Sequence, residues 1–165
     1  MKYQRTLNLS NYITSQRFAQ DVIYSNIEKY EERNQSNLIK IIDDITIGKY
    51  CEFVVYEELG TSYPDVAVYS KKNKSFDADL IKDDFKIHVK ACKQGLSLQP
   101  SWVFQPEDKL TTTPDKNDVI AFCLFDRGNV EFKMYKASKL LSLYRPPIKK
   151  NLKKKVIYDI DLQKV

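Results

Sequence analysis

Hydrophobic positions along this chain follow a helical period first and a strand period later. Over residues 11–33, Phe18, Val22, Ile23, Ile27 and Tyr30 recur near helical spacing, which predicts an amphipathic helix turning polar towards its end. Ser36 or Asn37 is placed to cap a second helix over 38–59, broken near Gly48 and stopped at Gly60, with Pro64 soon after. The period then changes to two, predicting strands over 64–70, 75–81 and 84–92 with turns between them.

The second and third of these strands read as a hairpin. A four-residue loop over 82–85 pairs Ile81 with Lys86. That register sets Leu80 opposite Ile87 and Ala78 opposite Val89 on one apolar face. It sets Asp79 opposite His88 and Asp77 opposite Lys90 on the other, and a one-residue slip would mix the two faces. Residues 93–118 form a long polar connection holding Trp102 and Phe104. The apolar run 119–125 predicts a strand covered on both faces. A turn at 126–129 leads to an alternating strand over 130–135. Residues 137–144 read as a short helix ending before Arg145-Pro146-Pro147, and 156–162 as a last strand. This order predicts one mixed α/β domain over 1–165. Its parts are N-terminal helices at about 11–59, a sheet core at about 65–135 and a basic helix and strand segment at about 136–165.

A chain of 165 residues can bury a core without metals or disulfides. No long apolar run and no signal-peptide core are present, so a soluble, cytoplasmic or otherwise intracellular protein without membrane contact is expected. Cys51, Cys92 and Cys123 lie far apart without C-x-x-C spacing, which suits buried free thiols rather than a zinc site. Net charge is +5, but residues 133–165 carry ten Lys or Arg against Asp159 and Asp161, a local excess of eight. Such asymmetry suits a surface facing nucleic acid, or a merely solvated one. No phosphate-binding G-x-x-x-x-G-K-[ST] loop occurs, so no nucleotide cofactor is expected.

Glu52 breaks the pattern. It is in phase with Ile45, Gly48, Val55, Tyr56 and Leu59 and therefore points from the apolar face of its helix. A carboxylate there costs several kcal/mol unless a cation or strong donors meet it. Gly48, one turn earlier, leaves space beside it, whereas Glu57 and Glu58 near the helix end are expected to be solvated. Phosphodiester hydrolysis needs an activated water and a stabilised leaving oxygen, which a carboxylate-held divalent metal supplies. A neighbouring lysine can orient the water and neutralise charge. Glu52, Asp79, the Val89 carbonyl and Lys90 could form such a set. The bland alternative is a cross-strand ion pair of Asp79 with Lys90, worth roughly 0.2–1 kcal/mol.

Glu52, then Asp79, then a strand with x-x-Lys90 resembles the PD-(D/E)xK superfamily of restriction-endonuclease-like nucleases, over roughly residues 45–135. The resemblance implies a mixed β-sheet flanked by helices. It also implies Asp79 as main metal ligand, Lys90 as catalytic lysine, Glu52 as further ligand or positioning group, and products ending in 5′-phosphate and 3′-hydroxyl. His88 stands where the pattern has an acid. Imidazole is a poor Mg²⁺ ligand, so His88 is left to orient water, contact phosphate or carry a proton. Asp65 of Pro64-Asp65 is a rival acid one strand earlier, and Asp79 is preferred. Mg²⁺, with Mn²⁺ as substitute, is the expected cofactor and double-stranded DNA the expected partner. Cutting both strands suits a homodimer or higher homo-oligomer. Gln94, Ser97, Gln99 and Trp102 follow the site strand and are candidates to contact DNA, with a core role as the alternative for Trp102. Lys149, Lys150, Lys153, Lys154 and Lys155 are candidates to grip its backbone. Two other readings stand beside this one: a Holliday-junction or other structure-selective nuclease, and a catalytically inactive DNA-binding module on the same fold.

Overall fold

A computed structural model describes residues 2–32, 37–68, 78–95, 99–148 and 153–165. The chain starts with a strand that the hydrophobic pattern does not predict, β1 (Lys2–Arg5). Asn8 then caps α1 (Leu9–Ser25), its side chain accepting from the Asn11 amide. The helix is not continuous to residue 33. It stops at Asn26, whose side-chain amide folds back onto the Val22 carbonyl, and resumes as α2 (Ile27–Glu32). By contrast α3 (Leu38–Leu59) runs unbroken through Gly48, capped by Asn37 and ended by Gly60 at φ 67°. Glu57 and Glu58 are not simply solvated. Glu57 accepts from the side chains of Asn8 and Asn11, and Arg5 bridges both carboxylates, so these acids tie β1 and α1 to α3.

The main sheet joins β1, β2 (Leu80–Lys82), β3 (Phe85–Lys93), β5 (Asp118–Asp126) and β6 (Asn129–Lys136) in the order β1-β6-β5-β3-β2. Only β3 and β5 are parallel. The hairpin register is Leu80 with Ile87 and Ile81 with Lys86, as the pattern predicts. Its turn is tighter than expected: Lys82 also pairs with Phe85, leaving two turn residues, with Asp83 at φ 52°. Because the ladder starts at Leu80, Asp79 sits in a bend rather than in a strand pair with His88, and Asp77 lies outside the described residues. Residues 64–68 form no strand, and 69–77 lie outside the described residues. Ser62 takes a strand's place along β2, its amide and hydroxyl bonding Ile81 and covering this edge. Between β5 and β6, Arg127 (φ 50°) and Gly128 (φ 90°) make the two-residue turn that a twisted hairpin favours.

The long polar connection carries its own structure. Within it β4 (Ser101–Phe104) pairs antiparallel with β7 (Lys155–Tyr158), and Lys109–Thr111 make a single tight turn. Two other expectations fail locally. Residues 137–144 form only a 3₁₀ turn at Ala137–Lys139, and the final apolar run splits into β7 and a one-turn helix, α4 (Asp159–Leu162). Short runs of this kind do not distinguish period two from period 3.6.

Two cores sandwich the sheet. On one face Tyr50, Cys51 and Val54 of α3 meet Leu80, Ile87, Ala121 and Phe125. On the other, Trp102 and Phe104 meet Ile120, Phe122, Ile157 and Leu162. β5 is buried on both faces, as its apolar run predicts. The three cysteines are free thiols, Cys51 and Cys123 buried but Cys92 only partly so. Among the described residues no helix is long and apolar enough to cross a membrane.

A Cβ added at Gly48 meets nothing within 4 Å. Gly48→Ala is therefore expected to raise stability by about 1 kcal/mol, read as a higher urea midpoint at unchanged slope.

Candidate active site

Strand alternation divides β3 between packing and chemistry. Ile87, Val89 and Ala91 point towards α3. Lys86, His88 and Lys90 point the other way, into a cavity of about 310 Å³ that Asp79, Lys109, Asp115 and Asp118 also line. Asp79 is fixed at the end of β2 by two bonds to β3. Its amide donates to the Ile87 carbonyl (3.1 Å), and its carboxylate accepts from the Val89 amide (2.8 Å). In a strand the N–H and C=O of one residue point to the same side, so the Val89 carbonyl also faces the Asp79 side.

Glu52 approaches from the opposite face of the sheet and is not among the residues lining the cavity. Its side chain is 12% exposed and its pKa is pushed up to about 7. Burial is the main cause and the Asp79 charge comes next, outweighing the nearby Lys49. Asp79 is therefore the hinge of the site: it shares a cavity with His88 and Lys90 and repels Glu52 from the other side. Lys49, which the sequence reading missed, is the cation that meets Glu52. Its ammonium lies 2.8 Å from Glu52, donates to the Asp65 carbonyl at 2.6 Å and sits over the Phe18 ring. Its i,i+3 spacing from Glu52 was the available signal. Asp65 also raises the Glu52 pKa, while its own carboxylate accepts from the Ala67 amide.

His88 is held by an acid the sequence reading also missed. Its Nε2 lies 2.9 Å from Asp118, which is buried and whose second oxygen accepts from the Asp115 amide (2.8 Å). Nothing local marks Asp118, which reaches His88 only because β5 runs parallel to β3. Lys90 makes no simple ion pair with Asp79: its ammonium lies over the Phe104 ring, 4.6 Å from the centroid.

The residues expected to contact DNA scatter. Trp102 is 3% exposed, its indole N–H donating to the Cys123 carbonyl (3.0 Å), so its face cannot stack on a base. Gln94 and Gln99 are exposed but line a different cavity, beside Cys92 and Tyr158. Lys153 and Lys154 are exposed, whereas Lys155 belongs to β7 and donates to the Thr111 hydroxyl. Ser97, Lys149 and Lys150 lie outside the described residues.

No protein-family model matches the chain, and no curated protein matches it. Chemistry alone must therefore judge the expected metal. Glu52 and Asp79 are two carboxylates in mutual repulsion, which a divalent cation would relieve, with the Val89 carbonyl on the same side. Among the described residues no three His, Cys, Asp or Glu side chains group to hold an ion by themselves. The donor set thus fits Mg²⁺ or Mn²⁺ held by one or two carboxylates and completed by water, not a closed zinc site.

Folding raises the Glu52 pKa from 4.5 to about 7, so the folded chain binds this proton more tightly than the unfolded one. The resulting stabilisation is fully present below the unfolded pKa and lost as pH rises to about 7. It amounts to on the order of 3 kcal/mol. Urea denaturation should show this loss in the wild type, a smaller one in Asp79→Asn and none of this component in Glu52→Gln.

Proposed function

We propose that the chain is a metal-dependent endonuclease that hydrolyses phosphodiester bonds in double-stranded DNA. The observation carrying this reading is that Asp79 shares a cavity with His88 and Lys90 while its charge also acts on the largely buried Glu52 carboxylate. Lys49 already meets Glu52, and a divalent cation would in addition relieve the repulsion between Glu52 and Asp79. Bound Mg²⁺ or Mn²⁺ would supply an activated water and charge neutralisation at the leaving oxygen. Asp79 and Glu52 would hold it, with the Val89 carbonyl beside them. Lys90, its ammonium resting over the Phe104 ring, would orient the attacking water and offset charge on the phosphorane. His88, oriented by Asp118, would contact the substrate or the water from the same cavity. Cleavage of both strands suits a two-fold dimer.

A DNA-binding module without catalysis is the second reading, favoured by the lack of a three-ligand group among the described residues. Supercoiled plasmid incubated with Mg²⁺ or Mn²⁺ separates the two. Nicking or linearisation is expected, with Asp79→Ala and Lys90→Ala each slowing it by about 100-fold or more. Equal cutting by those variants sinks this site, and binding without cutting under either metal establishes the second reading. Faster cutting of branched than of linear duplex would identify a structure-selective nuclease.

A further inference from the structure

The wall of the cavity away from Glu52 is built by one turn, and its purpose is not explained by packing. Asp115 and Asp118 lock this turn reciprocally. The Asp115 amide donates to the Asp118 carboxylate (2.8 Å), and the Asp118 amide donates to the Asp115 carbonyl (3.1 Å). The Lys86 amide bonds the Asn117 carbonyl (3.0 Å), joining the turn to β3. The Asp115 carboxylate is thereby held between two ammonium groups from different elements, Lys86 at 3.2 Å and Lys109 at 3.3 Å. The two lysines hold its pKa below the ordinary carboxylate range. All three side chains face solvent to a substantial degree, at 31% for Lys86, 65% for Lys109 and 48% for Asp115.

Exposed ion pairs contribute little to folding, so stability does not account for two lysines converging on one acid. The cavity offers a different account. Asp79, Asp108, Asp115 and Asp118 line it together with Lys86, Lys90 and Lys109, and a polyanion entering it needs those cations aimed at the point of entry. A carboxylate bridging two ammonium groups presents oxygens and negative charge as a phosphate does. Lys86 and Lys90 lie four residues apart on one face of β3, about 13 Å along the strand with His88 between them, so the two ammonium groups serve different points of a backbone.

We propose that Lys86 and Lys109 form a subsite for a DNA backbone phosphate away from the scissile one, and that Asp115 fills this subsite in the free protein and yields it to the phosphate. The subsite rests on the nuclease reading for its substrate. It concerns binding, however, and is tested without cleavage.

The full chain is titrated with a labelled DNA duplex in metal-free buffer over a series of salt concentrations. The wild type sets the slope of log K against log salt. Lys86→Ala and Lys109→Ala should each flatten it by about 0.9, the contribution of one phosphate contact. Lys86→Arg should restore it, and Lys40→Ala on α3 should leave it unchanged. Asp115→Asn, which removes the competing charge, should bind more tightly than the wild type. Unchanged slopes for both Lys86→Ala and Lys109→Ala overturn the subsite, as does weaker binding by Asp115→Asn. Lys109 is exposed enough that Lys109→Gln gives the same reading if Lys86→Ala folds poorly. The arms also separate the two ideas. A wild type that cuts plasmid while the slopes stay unchanged refutes the subsite alone. A wild type that binds with the expected slopes and never cuts refutes the nuclease alone. A chain that binds no duplex refutes both.

Discussion

Parallel pairing of β3 with β5 is the constraint on which the remaining geometry rests. It spans eight residue pairs, from Lys86 with Asp118 to Lys93 with Phe125. Parallel neighbours cannot be joined by a tight turn, so the chain must travel from one end of the sheet to the other between them. That passage brings Phe104, Lys109 and Asp115 around the cavity that β3 opens. The same pairing puts Asp118 under His88. A shift by one residue would turn His88 and Lys90 into the α3 core and expose Ile87, so packing and chemistry fix one another's register.

Burial of Glu52 shows how the two faces communicate. The carboxylate is kept from water on the α3 side and paired there with Lys49, yet it also feels the charge of Asp79, which belongs to the cavity side. Asp79 can serve both because it stands just beyond the short β2 ladder, where the sheet no longer separates the faces. Lys49 tempers the charge without cancelling it, since its ammonium is shared with the Asp65 carbonyl and the Phe18 ring. The site is thus held in electrostatic imbalance by a rigid helix and a rigid strand.

Those parts of the fold set by local pattern were legible in the sequence. The parity of the Leu80–Ile87 hairpin, the doubly buried β5 and the stop at Gly60 all follow from periodicity and one glycine. Glu52 was legible as a carboxylate out of place. What the sequence hid depends on partners distant along the chain. β1 is too short and too polar to show a period. Trp102 reads as either a core or a base-stacking aromatic until β4 finds β7. Asp118 resembles a loop acid until β5 aligns with β3. Lys149 to Lys155 read as one basic patch, although Lys155 is drawn into β7 and to Thr111. Glu57 and Glu58 look solvated because their partners, Arg5, Asn8 and Asn11, lie more than forty residues away.

Trp102 also has a use that its place in the core confers. It is the sole tryptophan of the chain, is packed edge-on to Phe122, and is hydrogen-bonded to the backbone of the central strand. Phe122 lies close to Phe104, whose ring carries the Lys90 ammonium. Light emitted by this one indole therefore reports from a fixed point behind Lys90. The protein comes with an optical probe beside the cavity that β3 opens, and no label has to be added to watch its wall loosen or tighten.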